Sequence, residues 1–176
     1  MKQITTRQLA VDAMLSAMCA VLGYLALDTG SVKITFESIP VLMAALLFGP
    51  IDGMAVGGIG TLIYQLLRYG VSATTPLWIL PYVACGALVG LYAKKNAFAL
   101  TQRQVVFIVV ANELLITALN TLVLLADSKI YGYYYPGIIL GALALRLALC
   151  IVKAVAYAFL LPVLIRPIRK AYGKSV

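Results

Sequence analysis

Residues Thr5–Leu27, TTRQLAVDAMLSAMCAVLGYLAL, join apolar character to a regular row of small side chains. A bilayer core about 30 Å thick needs about 20 such residues, so the stretch reads as a first membrane helix. Ala10, Ala13, Ala17 and Ala20 recur every three or four positions, which is one stripe of a helix. Within it, Ala13-Met14-Leu15-Ser16-Ala17 is a small-xxx-small pattern. Helices in lipid associate where small side chains let two backbones approach. The row therefore serves either packing inside the chain's own bundle or docking on another membrane protein.

The rest of the chain shares this character. It has 176 residues, 63% hydrophobic and 11% charged, with a mean hydropathy of +1.00. Soluble domains carry about 25% charged residues. The reading is an all-α integral membrane bundle, a single domain over 1–176 without an attached soluble catalytic domain. The first span is long and lacks an obvious small-residue cleavage site, which argues against a cleavable signal peptide. Cys19, Cys85 and Cys150 stand in separate apolar segments without metal spacing and read as small buried residues. There is no His, which removes the commonest general base and metal ligand; no metal site is expected.

Six helices are expected, at about 6–27, 37–49, 52–69, 76–94, 104–126 and 137–166. Gly49-Pro50 ends the short second one. Gly53, Gly57, Gly58 and Gly60 predict close helix contacts along the third, and Pro162 and Pro167 predict a kinked or frayed end to the sixth. With both termini cytoplasmic, Lys2, Arg7, Lys94, Lys95, Arg103, Arg166, Arg169, Lys170 and Lys174 lie inside, against Lys33, Arg68 and Lys129 outside. The net charge of +8 is thus topogenic, and no nucleic-acid partner is expected.

Polar residues inside apolar helices are costly and face a bundle interior or a cavity. Glu113, Thr117, Asn120 and Thr121 share one face of the fifth helix. Arg146, Cys150 and Lys153 share one of the sixth, and Thr61, Gln65 and Arg68 one of the third. Rise per residue puts Glu113 and Lys153 at similar depth, which predicts a structural ion pair. Gln65, Arg68, Asn120 and Arg146 fall toward the other half and predict a polar cavity. Trp78 and Tyr82, four apart, and Tyr133 and Tyr134 in Ile130-Tyr131-Gly132-Tyr133-Tyr134-Tyr135-Pro136 add an aromatic rim denser than an interfacial belt requires. These eight residues form the candidate substrate site.

Lys33-Ile34-Thr35-Phe36-Glu37-Ser38-Ile39-Pro40, then Leu47-Phe48-Gly49-Pro50-Ile51-Asp52-Gly53, with Ala13-xxx-Ala17 on the first helix, resemble the S components of energy-coupling factor (ECF) vitamin transporters. The resemblance covers essentially the whole chain. It implies a multi-pass plasma-membrane protein, bacterial in origin. It also implies capture of a water-soluble vitamin at the extracellular side and docking through Ala10, Ala13, Ala17 and Ala20 on a membrane coupling subunit. Two cytosolic ATPase subunits would use the ATP, and toppling in the bilayer would release the cargo. The chain has no P-loop and needs no cofactor of its own. Lys33–Gly53, Asn112-Glu113-Leu114-Leu115 and Leu119-Asn120-Thr121-Leu122 are similar to the folate branch. The P-G-F-T stretch of that branch is replaced by Ala73-Thr74-Thr75-Pro76-Leu77-Trp78-Ile79-Leu80-Pro81. Cobalamin would suit the tyrosine rim, and pantothenate would suit Arg68 or Arg146. A small ion-coupled transporter working through Glu113 and a lipid-modifying membrane enzyme are the alternatives. The second would need convergent acids, and the six acids are scattered.

Overall fold

The computed structural model describes residues 5–28 and 33–171. Six helices follow one another: α1 (Thr6–Tyr24), α2 (Ser38–Leu47), α3 (Pro50–Tyr69), α4 (Thr75–Lys95), α5 (Gln102–Ile130) and α6 (Pro136–Ala171). Two-residue strands, β1 (Leu27–Asp28) and β2 (Lys33–Ile34), pair antiparallel between α1 and α2. The first helix ends earlier than the apolar pattern suggests, because the chain turns into this hairpin. By length and composition, Thr75–Lys95, Gln102–Ile130 and Leu143–Ile168 can each cross a membrane. Lys2 and Lys174, two of the basic residues used for orientation, lie outside the described residues.

Local chemistry sets the helix starts. The Thr5 side chain accepts from the Gln8 amide at the head of α1. Thr101 and Gln104 form a reciprocal capping box at the head of α5. Pro50 and Pro76 stand in the first turns of α3 and α4, where their missing N–H costs nothing. Helix α6 runs on through Pro162 and Pro167 to Ala171, so its end is not frayed there.

Helix α2, SIPVLMAALL, is apolar all round, and a helix of that kind belongs in a core. Val41, Leu42, Ala44, Ala45 and Leu46 are fully buried. It contacts α1, α3, α4 and α6, while α3 also packs on α1 and α4, and α5 on α4 and α6. Glycines make the α3 contacts possible. A Cβ on Gly86 would stand 2.2 Å from the Gly53 carbonyl carbon, and one on Gly60 would stand 2.5 Å from Cys19 Cβ. Exposed Leu, Ile, Val and Phe side chains cover α3 to α6, as a lipid-facing surface requires.

Candidate functional site

Where α3 and α5 end and α4 and α6 begin, the helices enclose a cavity of about 490 Å³. Its walls come from α3, α4, α5 and α6, and Thr35 and Glu37 enter from the segment before α2. On α5, Thr117, Asn120, Leu124 and Asp127 line it at successive helical turns. At 1.5 Å per residue these span about 15 Å, so the cavity is a deep slot.

Six of the eight residues singled out in the sequence line this slot: Gln65, Trp78, Tyr82, Asn120, Tyr133 and Arg146. Arg68 does not. Its guanidinium turns back along α3 and donates to the carbonyls of Tyr24 (3.0 Å) and Ala26 (3.3 Å), holding the end of α1. Tyr134 is also outside it, half-exposed, with Lys129 Nζ 5.7 Å from its ring centroid.

Glu113 and Lys153 form an ion pair of 2.9 Å, with the Glu113 side chain fully buried. Lys153 nevertheless also lines the slot, so its role is not confined to the pair. Arg146 Nη1 donates to Thr121 Oγ1 at 3.4 Å, whereas its Nε is buried without a hydrogen-bond partner. Asn120 Oδ1 is likewise buried and unpartnered. Buried polar atoms left unmatched are rare and costly, so both call for a polar occupant or ordered water.

Two acids were counted in the sequence without a binding role. Glu37 is 2% exposed, and its Oε1 accepts from Tyr82 Oη at 2.5 Å. Asp127 Oδ1 accepts from Trp78 Nε1 at 3.4 Å, and Oδ2 accepts from Tyr133 Oη. A signal for Asp127 was present: it stands seven residues after Asn120, on the same stripe of α5. Glu37 had no comparable signal, because the turn before α2 obeys no helical period. Burial and the neighbouring Asp127 push the Tyr133 phenol up to about 12, so it stays a donor at neutral pH.

The alanine row divides. Ala10, Ala13 and Ala17 are exposed, while Ala20 is 5% exposed and belongs to the inward face with Ser16 and Cys19. Ala20 stands at the edge of that inward face because the stripe drifts over ten residues. Internal packing of α1 uses its other side, against Gly60 of α3. Among the described residues, no group of His, Cys, Asp and Glu could hold a metal ion.

Known proteins place this architecture. No curated protein matches the sequence. Among solved structures, a crystal structure of FolT bound with folic acid superposes with a TM-score of 0.64 at 22% identity, covering 88% of each chain. The S component of a bacterial ECF transporter superposes at 0.63 and 21% identity, covering 94% of this chain and 97% of that one. Both similarities concern the fold. The family described as ECF transporter, substrate-specific component, matches residues 7–168. The chain therefore belongs to the substrate-specific components of ECF transporters: it is an integral plasma-membrane transport subunit and not an enzyme.

Proposed function

We propose that the chain captures one water-soluble vitamin in the slot and passes it inward while docked on a membrane coupling subunit with two ATPase subunits. The observation that carries this reading is the slot itself, walled by four helices and lined by Asn120 and Arg146, each of which also has a buried polar atom without a protein partner. Ligand pockets for small organic molecules have volumes of roughly 300–1,000 Å³ and a few convergent polar groups among apolar ones. At about 490 Å³ the slot suits a folate-sized molecule or smaller. Cobalamin, a macrocycle with an appended nucleotide, would have to protrude from its mouth. The folate-like strings of the sequence and the fold shared with FolT support the same choice. Pantothenate fits the volume and would use Arg146, since Arg68 is turned away.

The exposed Ala10, Ala13 and Ala17 form the docking face, and the basic residues orient the chain with its termini cytoplasmic and the slot opening outward. Toppling of the docked chain would bring the slot to the cytoplasm, driven by ATP bound to the partners. The direct test purifies the full chain in mild detergent and identifies the co-purified molecule by mass spectrometry. A vitamin in near-stoichiometric amount is the expected result. Preparations that are consistently empty, and that also bind no vitamin when it is added, would overturn the reading.

A further inference from the structure

Besides Glu37 and the paired Lys153, the slot is lined by two charged groups of opposite sign, Asp127 and Arg146, that sit at different depths. Asp127 is held by Trp78 Nε1 and Tyr133 Oη, both neutral donors. Arg146 is held by one long hydrogen bond that it donates to the neutral Thr121 hydroxyl. Among the described residues the ion pair is Glu113 with Lys153, which involves neither. Lys129, the basic residue two positions after Asp127, lies against the Tyr134 ring instead.

Asp127 and Arg146 do not face each other. Arg146 reaches α5 at Thr121, six residues before Asp127, which is about 9 Å of helix rise. The helix α5 ends at Ile130, so Asp127 stands near the mouth and Arg146 deeper. Each retains bonding capacity. A carboxylate has about four lone-pair sites and a guanidinium five N–H donors, of which Arg146 directs one to Thr121.

We propose that the slot selects an amphoteric ligand: an anionic group goes to Arg146 at depth, and an amino or protonated nitrogen goes to Asp127 at the mouth. This rests on the vitamin-capture reading and names its substrate class. A ligand with only an acid leaves Asp127 facing uncharged atoms, and one with only a base does the same to Arg146. A site built to hydrogen-bond a group discriminates strongly against analogues lacking it, because its own polar atoms then stay unpaired. Trp78 and Tyr133 do not supply that selectivity. They fix the Asp127 carboxylate in one orientation, and each oxygen keeps a lone pair for the ligand.

Three probes separate the terms: folic acid, with an aminopteridine and carboxylates; pantothenate, an acid without an amine; and thiamine, a cation without an acid. Binding to the full chain in detergent can be followed by the fluorescence of Trp78, the one tryptophan of the chain. Folic acid should bind at least 100-fold tighter than either of the others. Asp127→Asn, which still accepts from Trp78, should weaken it at least tenfold, and Arg146→Gln should do likewise. Tighter binding of pantothenate or thiamine, or an Asp127→Asn affinity within twofold of wild type, overturns the proposal. If Arg146→Gln fails to fold, the probe contrast and Asp127→Asn still decide. If none of the three binds, the co-purified molecule decides: an amphoteric one sustains the proposal. One with only an acid or only a base refutes it and leaves vitamin capture standing. Finding no molecule at all overturns vitamin capture itself.

Discussion

Lys153 belongs to two systems at once. Its ammonium lies 2.9 Å from the buried Glu113 carboxylate, yet the side chain also forms part of the slot wall. Removing one partner of a buried pair strands the other, which typically costs about 3–5 kcal/mol. Lys153→Met should therefore lower stability strongly, and Lys153→Met with Glu113→Gln should recover most of the loss. Thermal unfolding in detergent measures both; equal losses in the single and double variants would show that the pair does not govern stability. Tyr82→Phe is milder. It removes the phenol that donates to Glu37 and leaves a buried carboxylate with one donor fewer, at about 1–3 kcal/mol. The spacing of Glu113 and Lys153 made their pairing readable in the sequence. The Tyr82 to Glu37 bond spans 45 residues and joins a helix to a turn, so no period announces it.

At the scale of elements, α3 does the organising. Its Gly53 meets Gly86 of α4 backbone to backbone, and its Gly60 receives Cys19 of α1. Gly86→Val inserts atoms where backbone already stands, and since backbone cannot step aside as a side chain can, the two helices must separate. A loss of at least the roughly 1–3 kcal/mol of ordinary overpacking is expected, together with weaker ligand binding, because α3 and α4 both wall the slot. Unaltered thermal unfolding of Gly86→Val would contradict so close a crossing. Helix α1 is different, since its two faces do different things. Ala13→Trp with Ala17→Trp adds bulk to an exposed surface and should leave folding and vitamin binding intact while abolishing assembly with the coupling subunit. Co-purification of the complex with both tryptophans in place would remove the docking role from this face.

For the whole molecule, binding and transport are separable. The slot is complete within one chain, so the chain alone should bind its vitamin. It has no nucleotide-binding loop, so uptake into proteoliposomes should require the partner subunits and ATP. Accumulation of vitamin by the chain alone would defeat this assignment and favour an ion-coupled transporter. Labelled cobalamin should bind more weakly than folic acid, since the slot can enclose only part of it.

Composition and period by themselves determined the class: long apolar segments satisfy their backbone groups in lipid only as helices, and glycines at helical spacing mark where those helices touch. The same logic found the stripe on α5 and the charged pair beneath the slot. Tertiary structure decided what period cannot express. Arg68 and Gln65 repeat at helical spacing, but one caps α1 and the other lines the slot, because the reach of a long side chain depends on which carbonyls lie nearby. Glu37 enters from a turn, and Asp127 gains its role only when Trp78 and Tyr133 close on it from other segments. Of the alanines in the opening helix, three face outward and Ala20 inward. Which side of α1 meets α3 depended on close approaches such as Gly60 leaving room for Cys19 and Gly23 for Tyr64.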